Sequence, residues 1–116
     1  MDKDYIEIHW ASGSLDEARR VSRYLVQERY VAAAQITPWI ESTFMWNNQL
    51  ETVQESKIVF IARADQYEEI SRIIKKNTTY EVPQITYFYI DGGNKEYMQW
   101  LTEAMPSKPS TEYTVH

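Results

Sequence analysis

Carboxylates on one long extended stretch are the side chains best suited to holding a ligand. Glu41, Glu51 and Glu55 lie on this stretch, at 38–62, and Glu81 lies in a Tyr-Glu-Val-Pro segment further along the chain. Their oxygen atoms suit a hard or borderline divalent ion, provided that the fold or a second subunit brings them together. The alternative interpretation is a solvent-exposed acidic face, with Glu81 in a structural hydrogen bond. The sequence leaves the identity of any metal open.

Side chains for covalent or acid–base catalysis are scarce. The chain has two histidines, no cysteine and no glycine-rich loop of the kind that cradles phosphates. His9 lies on a predicted first strand, where a single histidine is more often structural than a metal ligand. His116 lies in a predicted tail and is given no role. We therefore expect no catalytic residues and no enzymatic activity.

Length and charge narrow the class of protein further. The chain has 116 residues, enough for one hydrophobic core, and a net charge of −5. A nucleic-acid-binding domain usually carries a basic stripe, and none is visible. Residues 2–4 are all charged, and no apolar run approaches the ~18 residues that span a bilayer. We expect a cytoplasmic protein that binds neither nucleic acid nor a membrane.

Hydrophobic periodicity predicts the elements that must position these side chains. The predicted segments are a strand at 5–10, a helix from Ser14, extended segments at 31–46 and 50–62, a helix at 67–76, a strand at 85–90 and a helix at 94–104. This β-α-β-β-α-β order with a final helix is the ferredoxin-like pattern of α+β proteins, with a long hairpin between the second and third strands. The domain is predicted to cover 1–105, and 106–116 to form a flexible tail.

Helix starts are marked by short polar motifs. Ser14 and Glu17 have the spacing of a capping box, and Asp65 with Glu68 repeats it before the second helix. The third helix is predicted to place four residues on one face: Tyr97, Trp100, Leu101 and Ala104.

The long extended stretch carries its own signals. Pro38 cannot donate to a strand ladder, which predicts an edge strand or a bulge. Asn47 and Asn48 tolerate positive φ and predict a hairpin turn. The unbroken apolar run at 58–62 predicts a central strand that is covered on both faces.

An RNA-recognition module shares the predicted order of elements. It would use strand aromatics for base stacking, here Phe60, Tyr87 and Tyr89. The expected basic and glycine-rich strand signature is absent, and the acidic balance opposes binding to phosphates.

Four segments together resemble the CutA family of divalent-cation tolerance proteins. Residues 28–38 read ERYVAAAQITP, and 42–46 read STFMW, at the family's spacing. Residues 78–85 read TTYEVPQI, and 93–100 read GNKEYMQW. The likeness extends over roughly residues 5–104, and the combination is more specific than any one segment.

The resemblance implies a ferredoxin-like fold assembled as a homotrimer, similar to the PII-type signalling proteins. The hairpin over 38–62 would pack against neighbouring subunits, since a lone two-stranded arm is marginal in water. Candidate trimer-interface residues are Ile40, Phe44, Trp46 and Trp100. Candidate residues of a ligand cleft between subunits are Trp46, Glu51, Tyr80 and Glu81. The aromatic residues among them are equally consistent with a purely structural role at the interface.

Two positions depart from the family pattern. The family's cysteine falls on Ala33 and its histidine on Thr78, and neither side chain supplies the soft or imidazole ligand that copper favours. We expect at most weak binding of a divalent cation such as Cu or Zn. The function that the resemblance implies is a non-enzymatic, trimeric, cytoplasmic protein of divalent-cation tolerance. The alternative is a PII-like sensor that binds a small molecule or nucleotide between subunits.

Overall fold

Strands and helices follow one another in the predicted order. The computed structural model describes residues 4–106, so the predicted tail beyond Pro106 lies outside the described residues. The elements are β1 (Tyr5–Ser12), α1 (Leu15–Gln27), β2 (Val31–Trp46), β3 (Gln49–Arg63), a 3₁₀ turn (Ala64–Gln66), α2 (Tyr67–Asn77), β4 (Ile85–Tyr89) and α3 (Lys95–Ala104). Within residues 4–106, no helix is long and apolar enough to cross a membrane.

One antiparallel sheet joins the strands in the order β2-β3-β1-β4. Pro38 lies on the edge strand β2, where its missing N–H costs no ladder bond, and the register shifts between Thr37 and Ile40. Ser56 Oγ donates to the Pro38 carbonyl at 2.9 Å and holds this irregular point. Both predictions made from Pro38, the edge and the bulge, are confirmed.

The core lies between the sheet and the helices α1 and α2. It contains, among others, Ile6, Ile8, Trp10, Val21, Leu25, Ile58, Phe60, Ile70 and Ile74. Burying each large aliphatic side chain contributes about 1.5–3 kcal/mol. The central strand predicted at 58–62 is confirmed, because Ile58, Phe60 and Ile61 are all buried. Phe60 therefore faces the helices, and its suggested role in stacking on RNA bases was wrong.

Helix α1 starts where the sequence predicts, although the cap differs in one bond. Ser14 is the N-cap, and its Oγ accepts the Glu17 N–H at 3.1 Å. The Glu17 carboxylate accepts from Ser12 Oγ at 2.8 Å, and Ser12 Oγ receives the Ser14 N–H at 3.1 Å. Ser12 thus takes the place of the reciprocal half of the capping box, and Glu17 becomes buried.

The second predicted capping box was wrong. Gln66 is the N-cap of α2, and no side chain among the described residues caps this helix start. Asp65 lies in the preceding 3₁₀ turn, where Arg63 donates to both carboxylate oxygens at 3.1 and 2.8 Å. A neighbouring guanidinium therefore outcompetes the helix N-terminus for this carboxylate.

Helix α3 covers part of the second face of the sheet. Leu101 and Met105 are buried against Ile61, with Met98 packed beside them. Tyr97 and Trp100, which the sequence groups with Leu101, stay 38% and 43% exposed. Their rings instead lie 5.5 Å apart by centroid on the helix surface.

The outer half of the β2–β3 hairpin forms an arm, defined here as residues 40–55. Asn47 and Asn48 have φ of 51° and 64°, so the predicted two-residue turn is confirmed. The Thr43 and Thr52 hydroxyls hydrogen-bond across the strands at 3.1 Å. Residues paired directly across the arm share a face, so each face is set by this register.

Candidate functional site

A cavity of about 730 Å³ lies between one face of the arm and the segment after α2. This volume is in the range of roughly 300–1,000 Å³ that is usual for small-molecule sites. The lining residues come from β1, the arm and residues 79–84: Ala11, Ser42, Thr43, Phe44, Trp46, Glu51, Val53, Glu55, Thr79, Tyr80, Glu81, Val82 and Gln84.

The first wall is the cavity face of the arm, which strand register assembles. Phe44 pairs with Glu51, and Ser42 pairs with Val53. Because side chains alternate along a strand, these residues and Glu55 share one face. Glu41 pairs with Gln54 in the intervening register and is not part of the lining. The sequence-predicted set of hairpin carboxylates is therefore divided between the two faces.

Tyr80 dominates the second wall, in the segment that connects α2 to β4. A Cβ atom added at Gly13 would lie 2.9 Å from the Tyr80 ring and hydroxyl, so the ring sits directly on the turn between β1 and α1. The Tyr80 N–H donates to Thr78 Oγ1 at 3.4 Å. At the far end of the segment, Tyr67 OH donates to the Ile85 carbonyl at 3.0 Å. These contacts fix the wall against the body of the domain.

A buried carboxylate lies where the two walls meet. Glu55 is only 8% exposed, and Ser42 Oγ donates to its Oε1 at 2.6 Å. Burial, the hydrogen bond with Glu55, and the negative charges of Glu55 and Glu17 together raise the pKa of Tyr80 to about 12. Tyr80 is therefore a protonated donor at neutral pH, unsuited to act as a base or nucleophile.

The charge of the lining has one sign. It includes Glu51, Glu55 and Glu81, and none of the described lining residues is Lys, Arg or His. A partly enclosed cavity of this kind attracts cations and repels phosphates and carboxylates. Across residues 4–106, no three His, Cys, Asp or Glu side chains are arranged to hold a metal ion.

The structure places the four predicted cleft residues together. Trp46, Glu51, Tyr80 and Glu81 all line the cavity. Whether they bind a ligand between subunits stays a prediction. The predicted interface residues are divided: Phe44 and Trp46 line the cavity, whereas Trp100 lies on the surface of α3. Ile40 pairs with Glu55 at the base of the arm.

Other sequence candidates lie away from the cavity. His9 Nε2 lies 3.0 Å from Glu7 Oε1, and its ring meets Phe88 edge-on at 5.0 Å between centroids. This agrees with the structural role expected for His9. Ala33 and Thr78, at the positions of the family's cysteine and histidine, are both outside the cavity lining.

Sequence reasoning missed two contributors to the site. Gly13 was not among the candidate residues, and no local signal reveals that the Tyr80 ring occupies the space of its absent side chain. Ser42 was noted only as part of the 42–46 segment and was not among the candidate residues. The two-residue turn at Asn47-Asn48, which sets the register of the arm, was the available signal for grouping Ser42 with Glu55.

These features define a class of protein: an α+β domain with a four-stranded antiparallel sheet, three helices and a long hairpin arm that walls a cavity. Residues 7–104 match the family model described as CutA1 divalent ion tolerance protein. The chain belongs to this CutA1 family.

Individual relatives agree with the family match. The chain is 29% identical over 98 residues to the divalent-cation tolerance protein CutA of Archaeoglobus fulgidus, covering 84% of this chain and 95% of the relative. It is 30% identical over 90 residues to the protein of the same name from Thermus thermophilus, covering 78% and 87%. The crystal structure of CutA1 from a psychrotrophic Shewanella superposes with a TM-score of 0.86 at 26% identity, covering 92% of this chain and 100% of that chain. The chain spans about half the length of the chloroplastic relatives that it matches.

Proposed function

We propose that this chain is a non-enzymatic protein of divalent-cation tolerance that acts as a homotrimer of ferredoxin-like subunits. The carboxylate-lined cavity beside the arm carries the proposal, since it offers a cation a negatively charged, partly enclosed site. The relatives named above are tolerance proteins by name and are not named as enzymes. The cytoplasmic location expected from the sequence stays a prediction.

Exposed apolar side chains on the arm support the trimer. Phe44 and Trp46 are about two-fifths exposed, and on the opposite face Leu50 is 72% exposed. Phe88 is also exposed, on the second face of the sheet. A two-stranded arm gains little stability alone, and a contiguous apolar surface is usually covered by a partner. Neighbouring copies of the same chain would provide that cover.

Sedimentation equilibrium tests the assembly directly. At micromolar concentration we expect a species of three times the 13.8 kDa chain mass. Tryptophan quenching by acrylamide provides an independent measurement, because interfaces shield the rings that line them. A stable monomer whose Trp46 is open to quencher would contradict the trimer.

Cation binding is tested by calorimetric titration with Cu(II) and Zn(II). We expect weak binding, with Kd values of about 10 μM or higher, because the described part of one subunit offers no three-ligand set. Glu51→Gln should weaken the binding further. Glu41→Gln, which alters the opposite face of the arm, is the matched control. Stoichiometric submicromolar binding of Cu(II) would overturn this account.

The PII-like alternative is not favoured. A nucleotide brings two or more negative charges, and the described lining supplies carboxylates without a balancing Lys or Arg. The relatives reported above are all CutA proteins. Thermal denaturation with a panel of nucleotides and metal ions distinguishes the cation-tolerance protein from the PII-like sensor. A higher melting temperature with nucleotides, and not with Cu or Zn, would favour the sensor.

A further inference from the structure

The carboxylate at the junction of the two walls has no ion-pair partner in the part of the chain that the structure describes. Glu55 is more than nine-tenths buried and lines the cavity. Its contacts are the neutral hydroxyls of Ser42 and Tyr80. Among residues 4–106, the ion pairs involve other carboxylates. A buried carboxylate without a cation loses hydration that two neutral donors only partly replace.

Aromatic rings line the same cavity as this carboxylate. Phe44 and Trp46 line the cavity from the arm, and Tyr80 lines it from the opposite wall. The negative face of an aromatic ring attracts a cation that lies within about 6 Å, most strongly for Trp. A ring also offers apolar contact to the carbon skeleton of a ligand, which a bare metal ion does not use.

We propose that this cavity binds a small organic cation, with a protonated nitrogen directed at Glu55 and an apolar body against Phe44 and Trp46. The inference rests on the proposed function, in which the cavity is the cation site, and specifies the chemistry of its ligand. A bare divalent ion fits less well, because the described carboxylates do not form a three-ligand set. An anion is repelled by Glu51, Glu55 and Glu81.

Three probes of matched size and different charge test this inference on the full chain. Benzylammonium, benzyl alcohol and benzoate are titrated calorimetrically at pH 7 and the same ionic strength. We expect benzylammonium to bind one per chain, about tenfold tighter than benzyl alcohol, with benzoate weakest. Of the four tryptophans, Trp46 lines the described cavity, so its indole N–H resonance should shift the most.

Substitutions identify the carboxylate that makes the cavity prefer benzylammonium to benzyl alcohol. Glu55→Gln should weaken benzylammonium binding about tenfold and leave benzyl alcohol unchanged. If Glu55→Gln does not fold, Glu51→Gln on the same face provides the measurement, with a smaller loss expected because Glu51 is less buried. Glu41→Gln on the opposite face should leave all three affinities unchanged.

Each other outcome overturns the inference. Equal binding of benzylammonium and benzyl alcohol would define an apolar cavity without charge selection. Tighter binding of benzoate would show that the cavity prefers an anion. The absence of binding by all three probes would show that the cavity binds no small aromatic ligand of this size. These results leave the trimer and the metal titrations untouched, so failure of this inference is distinguishable from failure of the proposed function.

Discussion

The body of the domain and its arm differ in how far they bury their aromatic side chains. In the body, Trp10 and Phe60 are fully buried, and their rings stack with centroids 6.3 Å apart. In the arm, Phe44 and Trp46 keep about two-fifths of their surface exposed. The body is therefore stabilised within one chain. The arm retains apolar surface that a ligand or a second chain would cover.

The largest expected effect compares one phenylalanine from each region. Phe60→Ala should lower the free energy of unfolding by about 3–5 kcal/mol, since it leaves a cavity in a closely packed core. Phe44→Ala removes a partly exposed ring, so its effect should be smaller and should depend on protein concentration if the arm lies at a subunit interface. Urea denaturation at several protein concentrations measures both.

Concentration dependence is the critical result of this pair. Equal losses for both variants at every protein concentration would show that the arm is stabilised in the same way as the body. The distinction between the two regions would then fail.

The junction between body and cavity is tested at Gly13. Gly13→Ala places a methyl group 2.9 Å from the Tyr80 ring, so the ring must shift, at a cost of about 1–3 kcal/mol. Gly13 does not have positive φ, so backbone strain adds nothing to this cost. Gly92→Ala is the matched control, because no atom lies within 4 Å of its added Cβ. Thermal denaturation compares the two variants.

A second substitution at Tyr80 sharpens this test. In Tyr80→Leu the ring is gone, so adding Gly13→Ala should cost clearly less than it does in the wild type. Additive losses would mean that the destabilisation by Gly13→Ala does not arise at Tyr80.

The parts of this molecule that were predictable are those encoded by nearby residues. The start of α1 at Ser14, the turn at Asn47-Asn48 and the edge position of Pro38 each follow from the chemistry of a few adjacent residues. The order of the elements follows from periodicity alone. The candidate site was predictable in part, because the family resemblance implied the cleft residues Trp46, Glu51, Tyr80 and Glu81, which line the cavity.

The parts that were not predictable depend on contacts between distant segments. Gly13 and Tyr80 are far apart in sequence, and their approach is set by the packing of the whole sheet. The third helix carries apolar residues on more than one face, so periodicity did not distinguish the exposed Trp100 from the buried Leu101. The prediction of a second capping box was wrong because Arg63 donates hydrogen bonds to both oxygens of the Asp65 carboxylate.

Removing the hydroxyl of Tyr80 should have a smaller effect on the free energy of unfolding, and this effect should depend on pH. Its pKa is raised from 10.0 to about 12, so folding favours the protonated form. This contribution to stability is complete below pH 10 and is lost as the pH rises through about 12. Tyr30 and Tyr87 also have raised pKa values, so the difference between wild type and Tyr80→Phe is the quantity to follow.

The difference in stability between wild type and Tyr80→Phe should change with pH. Near pH 8, Tyr80→Phe should cost about 1 kcal/mol, the usual worth of one hydrogen bond. That deficit should shrink between pH 10 and 12, because Tyr80 ionises near pH 10 in the unfolded chain and keeps its proton up to about pH 12 in the folded chain. Chemical denaturation at pH 8, 10 and 11.5 measures it, and a deficit independent of pH would mean that the hydroxyl does not donate to Glu55.

The smallest expected effect compares the backbone of the two regions at residues with positive φ. Arg29 has φ of 63° just after α1, where its N–H donates to the Val26 carbonyl and the Tyr30 N–H donates to the Leu25 carbonyl. This is a Schellman motif, whose left-handed position favours glycine. Arg29→Gly should therefore stabilise the domain by about 0.5 kcal/mol, despite losing the 3.3 Å bond from Arg29 to the Ala104 carbonyl.

Asn48→Gly makes the equivalent change in the arm, where φ is 64°. Asparagine already tolerates this conformation, so the gain should be only about 0.3 kcal/mol. Native-state hydrogen exchange distinguishes the two regions. Arg29→Gly should slow exchange of the most protected amides in β1 and β3, whereas Asn48→Gly should slow only the amides of the arm. If Asn48→Gly protected the body to the same extent, the arm would unfold together with the body and not as a separate unit.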